Sequence, residues 1–219
     1  MPQLEVATFN VHHCEGLDGR IDLARIADVI TRTGASIVAL QELDELMERT
    51  GRVDQPAELS RLTGLHIGFV PTLRRGEGSY GIGLASKEKL VWRPHQLPLV
   101  GDEEPRAAIV ATMPGVTIVA AHLSLQPGPL ATQTAAVAEL VRDLDGPIVV
   151  LGDLNQPRRT LTPLFDAGLD SPRWPRKTLV RRFAQRDHIL AGHGARVGRR
   201  RVVRTRGSDH NALSGLVLL

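Results

Sequence analysis

Two short runs carry the side chains best suited to chemistry, Gly152-Asp153-Leu154-Asn155 and Ser208-Asp209-His210. A carboxylate and a carboxamide two residues apart on an extended segment point to the same side. The run before them, Pro147-Ile148-Val149-Val150-Leu151, is apolar throughout, which predicts a strand buried on both faces. Asp153 and Asn155 therefore stand at the carboxyl end of a buried strand. Other polar groups recur in the same setting: Asn10 after Ala7-Thr8-Phe9, Glu42 after Ile37 to Leu40, His122 after Val119-Ala120-Ala121, and Asp187 opening an apolar strand. No serine or cysteine has the setting of a nucleophile. Donors dominated by carboxylates and amides suit a hard cation such as Mg²⁺ or Mn²⁺ better than zinc. The matching substrate is a phosphoester, whose hydrolysis needs a cation for developing charge, a group to activate water and donors to nonbridging oxygens.

Each residue also has a plainer reading. Asn10 and Asn155 suit turns that cap the following loop, Glu42 suits a solvated loop acid, and His122 suits a hydrogen-bonded histidine at a strand end. His12 and His13, just after Asn10, are read as loop residues, and Cys14, the one cysteine, as a packing or loop residue. A single cysteine excludes an intramolecular disulfide and a multi-cysteine zinc site.

Positioning these groups requires alternating strands and helices, and the chain supplies them. Strands are predicted at Leu4 to Phe9, Ile37 to Leu40, His66 to Pro71, Tyr80 to Ser86, Leu90 to Pro94, Ala107 to Met113, Val116 to His122, Asp187 to Leu190, Arg196 to Val203 and Gly215 to Leu219. Helical spacing runs from Ile21 to Arg32 before Gly34, over Ala57 to Leu62, and from Pro129 to Leu144 before Gly146-Pro147. No linker, repeat or low-complexity segment interrupts 219 residues of 42% hydrophobic content, so residues 1–219 are expected to form one domain. Two strand–helix–strand halves with added hairpins imply two sheets packed face to face between outer helices. No stretch is long and apolar enough to span a bilayer. The opening Met1-Pro2-Gln3-Leu4-Glu5-Val6 lacks a secretory pattern, so a cytoplasmic location is expected.

The net charge of +3 hides an asymmetry, because residues 173–206 carry 12 Lys or Arg and one acid, Asp187, leaving 15 basic and 23 acidic residues elsewhere. A phosphate-bearing partner, including nucleic acid, would meet such a region; arginines on the wet face of a terminal hairpin would look the same. Aromatic residues make up only 3%, so stacking platforms for single strands are scarce.

Taken in order, these segments resemble the endonuclease/exonuclease/phosphatase superfamily. The resemblance rests on Thr8-Phe9-Asn10, Gln41-Glu42, Tyr80-Gly81, Arg106, Ala121-His122-Leu123, Gly152-Asp153-Leu154-Asn155, Asp187-His188-Ile189-Leu190 and Ser208-Asp209-His210. It implies a four-layered α/β-sandwich and a divalent-metal site. Glu42 and Asn10 would hold the metal with Asp209 close by, and Asp153 would align or deprotonate the attacking water. Asn155 would bind the phosphate, His210 would contact it while oriented by Asp187, and His122 would donate to a nonbridging oxygen. Arg106 and Tyr80 would contact the phosphate or brace a catalytic carboxylate. Ile82 and Lys87 depart from the family pattern, and Gln156 to Arg186 is short, with Asp170, Trp174 and Thr178 as its candidate recognition residues. The implied activity is metal-dependent hydrolysis of a phosphodiester or phosphomonoester. A nuclease and a noncatalytic phosphate-binding module are the alternatives.

Overall fold

Strict alternation of apolar residues decides which layer each strand faces. In the computed structural model, which describes residues 2–181 and 184–219, β1 (Gln3–Asn10) sends Val6 inward and Ala7 and Phe9 outward. It pairs in parallel with β2 (Ile37–Glu45) and antiparallel with the last strand, β12 (Ala212–Leu218). With β3 (His66–Arg75), β4 (Gly78–Ser86) and β11 (Arg196–Val203), these form a six-stranded sheet ordered β11-β12-β1-β2-β4-β3.

The second sheet also has six strands, β5 (Val91–Gln96), β6 (Ala107–Met113), β7 (Val116–His122), β8 (Ile148–Asp153), β9 (Leu169–Asp170) and β10 (Asp187–Gly192). Its order is β5-β6-β7-β8-β10-β9. The sheets meet over an apolar layer that includes Val6, Ile37, Leu84, Ile109, Ile118, Leu151 and Ile189.

Helices cover the outer faces. α1 (Leu23–Thr33) and α2 (Gln55–Thr63) lie on the first sheet, where Ile26, Ile30 and Leu59 meet Phe9 and Leu40. Asp22 sets the start of α1 by accepting from the Arg25 N–H at 3.0 Å, and Gly34 ends it at φ 66°. α3 (Pro127–Arg142) and α4 (Thr162–Asp166) lie on the second sheet, packing Val137, Val141 and Leu164 against Val119 and Val150. The result is the expected four-layered α/β-sandwich. No helix among the described residues is long and apolar enough to cross a membrane.

The arginine-rich segment divides in two. On β11, Arg200 donates to the carbonyls of Pro172 and Trp174, Arg201 to those of Arg32 and Thr33, and Arg199 pairs with Glu5. Arg200 and Arg201 brace the fold, whereas Arg199 makes an exposed surface ion pair. Arg181 and Arg186 instead line a cleft described below, and Arg182 lies outside the described residues.

Candidate active site

Strand register brings the polar residues to one rim. β7 and β8 run parallel with His122 opposite Asp153, and β10 returns antiparallel with Asp187 opposite the same Asp153. Gly152 permits this approach, because a Cβ there would sit on the Ala121 carbonyl oxygen. In the first sheet Asn10 ends β1 beside Gln41, and the register of β2 against β4 shifts between Leu40 and Leu43. Glu42 lies in that irregularity at φ 60°, turned out of the strand's alternation. Ser208 closes the rim: its hydroxyl donates to the Asn10 carbonyl at 2.8 Å and accepts from the His210 N–H at 3.0 Å.

Two carboxylates and three nitrogen groups meet there. Asn10 Nδ2 donates to Glu42 Oε1 at 2.8 Å and to Asp153 Oδ2 at 3.1 Å, bridging the two sheets. His122 Nε2 lies 4.0 Å from Glu42 Oε1 and 3.9 Å from Asp153 Oδ2, and His210 Nε2 lies 3.7 Å from Asp153 Oδ2. Behind His210, Nδ1 bonds Asp187 Oδ2 at 2.8 Å. Asn155 turns at φ 53°, its N–H donating to Asp153 Oδ1 and its amide to the Leu123 carbonyl. A cleft of about 610 Å³ opens onto Glu42, Asp153, Asn155, Asp209 and His210, with Arg181 and Arg186 on its wall.

Burial sets the charge states. Desolvation and the neighbouring Asp187 push Asp153 up to about 7 against the pull of His210 and the Asn10 hydrogen bond. For His210, burial opposes the charged ring, but the carboxylates of Asp187 and Asp153 outweigh it and raise the group to about 10. His210 is therefore an imidazolium at neutral pH. His122 goes the other way: burial, then Arg106 and His210, lower it well below the ordinary histidine value. Arg106 Nη1 lies 3.2 Å from His122 Nδ1, and a guanidinium can only donate. Nδ1 must then accept, so His122 carries its proton on Nε2, facing Glu42 and Asp153.

The sequence-predicted residues separate into two shells. Glu42, Asp153, Asn155, His122, Arg106, Asp209 and His210 line the cleft, whereas Asn10 and Asp187 stand behind, each bonded to a lining group. Tyr80 does not line it. It is buried, its hydroxyl faces Arg106 Nη1 at 3.5 Å, and Arg49 lies over its ring. Of the candidate recognition residues, Thr178 is fully buried and its hydroxyl accepts from the Arg186 and Asp187 N–H groups, so it supports the loop instead. Asp170 pairs with Arg158, and Trp174 is 81% exposed.

Two participants went unnoticed in the sequence, and Ser208, though part of a quoted motif, was given no role. Arg186 donates to the Asn155 carbonyl at 2.6 Å, Glu104 meets Arg106 at 3.4 Å, and Ser208 ties two motifs together. Glu104 and Arg186 carried no sequence signal beyond charge. His12 and His13 depart furthest from a plain loop. His12, His13 and Cys14 are three successive non-glycine residues at φ 48°, 40° and 63°, a left-handed turn costing roughly 1–2 kcal/mol per residue. Asn10 Oδ1 accepting from the His12 N–H and Gln55 donating to the His13 carbonyl hold it, and Cys14 is buried beneath.

The endonuclease/exonuclease/phosphatase family pattern matches residues 7–210. Among solved structures, an endonuclease/exonuclease/phosphatase from Beutenbergia cavernae DSM 12333 is similar at 23% identity and TM-score 0.80, over 100% of this chain and 72% of that one. The human Nocturnin catalytic domain with bound sulfate is similar at 19% identity and TM-score 0.72, over 99% and 94%. A mannosyl-6-phosphatase from Bacteroides thetaiotaomicron VPI-5482 is similar at 14% identity and TM-score 0.72, over 99% and 100%. These likenesses concern the fold. No curated protein sequence matches the chain significantly. With sheet order, motif positions and family pattern in agreement, the chain belongs to the endonuclease/exonuclease/phosphatase family of phosphoester hydrolases.

Proposed function

We propose that this protein hydrolyses a phosphodiester or phosphomonoester with a divalent cation, Mg²⁺ or Mn²⁺, by in-line attack of water activated at Asp153. The observation that carries the reading is the meeting of Glu42, Asp153, His122 and the Asp187–His210 pair at one cleft rim. The donor set fits a hard cation: carboxylates at Glu42, Asp153 and Asp209 and a carboxamide at Asn10. The Asn10 amide nitrogen already lies between the Glu42 and Asp153 carboxylates, where their negative charge draws a positive partner. Its oxygen bonds the His12 N–H, so ligation through that oxygen requires the amide to rotate. Glu42, Asn10 and Asp209 would hold such a cation, and when bound it would supply positive charge to offset the charge that develops on the phosphate.

The chain's own residues supply the other parts. Asp153, with its pKa near 7, is suited to align water and take its proton. Its Oδ1 is held by the Asn155 N–H, leaving Oδ2 towards the cleft groups. His210 stays charged through Asp187 and presents Nε2 to the phosphate, stabilising the negative charge that develops on transfer. Neutral His122 donates from Nε2 to a nonbridging oxygen, with Arg106 fixing its tautomer. Asn155 offers its remaining amide hydrogen, and Tyr80 acts as a positioning residue for Arg106.

The test is hydrolysis of bis-p-nitrophenyl phosphate and p-nitrophenyl phosphate with Mg²⁺, Mn²⁺ or a chelator. Metal-stimulated turnover that disappears in folded Asp153→Ala and His210→Ala is expected. Turnover indifferent to chelation, or unchanged in both variants, would end the proposal. One observation favours nucleic acid as substrate. Arg181 and Arg186 line the cleft, and a larger adjoining hollow of about 910 Å³, sharing Leu17 and Leu179, is lined by Arg25, Lys177, Arg204 and Arg206. A nuclease would show affinity that falls steeply with salt; salt-independent turnover of a small phosphoester would exclude that role for the basic wall.

A further inference from the structure

The left-handed turn after β1 places the His12 imidazole at the edge of the cleft with the His13 ring 4.4 Å from it, and their hydrogen bonds fix which nitrogens carry protons. Glu15 engages both rings: its carboxylate bonds His13 Nε2 and its carbonyl bonds His12 Nδ1, each at 3.2 Å. A backbone carbonyl can only accept, so His12 carries its proton on Nδ1 and keeps a lone pair on Nε2. A carboxylate selects the Nε2–H form of His13, leaving a lone pair on Nδ1, and that atom is buried with no hydrogen-bond partner among the described residues. A carboxylate or carbonyl holding the far nitrogen of a ring is the arrangement that orients histidines towards metals. One donor atom each from His12, His13 and Glu42 lies within 4.8 Å of the others. Ligands of a tetrahedral zinc with bonds of about 2.0–2.1 Å stand about 3.4 Å apart, so closure from the 4.8 Å bound brings donor pairs together by up to about 1.4 Å. Glu42 can serve because Asn10 occupies only its Oε1.

We infer that His12, His13 and Glu42 form a nitrogen-rich divalent-metal site that prefers Zn²⁺ or Co²⁺ to Mg²⁺ and that shares Glu42 with the proposed oxygen-lined position. Imidazole suits these borderline ions, whereas Mg²⁺ demands oxygen ligands and holds its water. The turn serves the site as a rigid frame, held at both ends by Asn10 and Gln55 and anchored by Cys14. The inference does not rest on the proposed hydrolysis.

The experiment is a titration of metal-free full-length protein with Co²⁺ in excess Mg²⁺, followed by visible ligand-field absorption, with Zn²⁺ affinity measured by calorimetry. A Co²⁺ band displaced by Zn²⁺ is expected. Folded His13→Ala should lose it, and Glu15→Gln, which keeps the shape but removes the charge, should weaken Zn²⁺ affinity roughly 10–100-fold. Glu15→Gln also guards against a His13→Ala chain that does not fold. His210→Ala, inactive under the proposed function, should retain the band, which separates failure of the two ideas. The inference is overturned if Zn²⁺ does not compete against Mg²⁺, or if either turn variant, shown folded by its thermal melt, binds as the unaltered chain does.

Discussion

Asp187→Asn tests how the buried pair sets the chemistry. Asn keeps the shape and an acceptor for His210 Nδ1 but removes the charge that lies 2.8 Å away. In an effective dielectric of about 20, one charge at close contact is worth about 4 kcal/mol, or about three pKa units. His210, raised to about 10 mainly by Asp187 against its own burial, would then titrate near about 7. The assay is the pH dependence of kcat/KM on a chromogenic phosphodiester. In the unaltered enzyme activity should rise as Asp153 ionises near 7 and fall as His210 loses its proton near 10, giving a bell. In the variant the alkaline limb should move down by about three units, so kcat/KM falls roughly 100-fold at about pH 9 but far less at about pH 6. Asp153 loses a like-charged neighbour, so its acid limb should shift down as well. A uniform loss at all pH values, with both limbs unmoved, would show that Asp187 only orients the ring and would refute the electrostatic argument.

The folded pKa of Asp153 is raised, so the group favours folding at low pH and that contribution is lost as pH rises through about 7. Asp153→Asn should therefore remove part of any fall in the melting temperature of metal-free protein between pH 5 and pH 8, and a pH dependence of melting identical to that of the unaltered chain would contradict the raised carboxyl. Arg106→Met should lower kcat about 10-fold or more by freeing the His122 tautomer, while Tyr80→Phe, losing only a 3.5 Å contact, should cost less than about threefold; equal losses would contradict the assigned order. Gly152→Ala should destabilise the β7–β8 pair by about 3 kcal/mol, lowering Tm by roughly 6–12 °C, and an unchanged melt would remove the close-approach argument.

Much of this arrangement was legible before any coordinates, for identifiable reasons. β6, β7 and β11 fall on the predicted bounds because hydrophobic alternation and turn residues such as Pro114-Gly115 mark both ends. α4 and β9, five and two residues long, are too short to carry a period, and both escaped notice. β2 runs past its predicted end at Leu40 to Glu45, because an irregularity interrupts the apolar pattern while pairing with β4 continues. That same irregularity turns Glu42 to the site.

Residue types and their order along the chain determined the layered α/β class, the strand-end position of Asn10, His122 and Asp153, and the hard-donor character of the cleft. These are local properties, since side-chain period and strand ends are written in successive residues. Pairing across the molecule decided the rest. The neutral His122, the charged His210, the supporting place of Tyr80 and the turn that sets His12 and His13 beside Glu42 all depend on partners distant in sequence. Burial then gives those contacts their weight, because a charge or lone pair withdrawn from water answers to the groups that touch it.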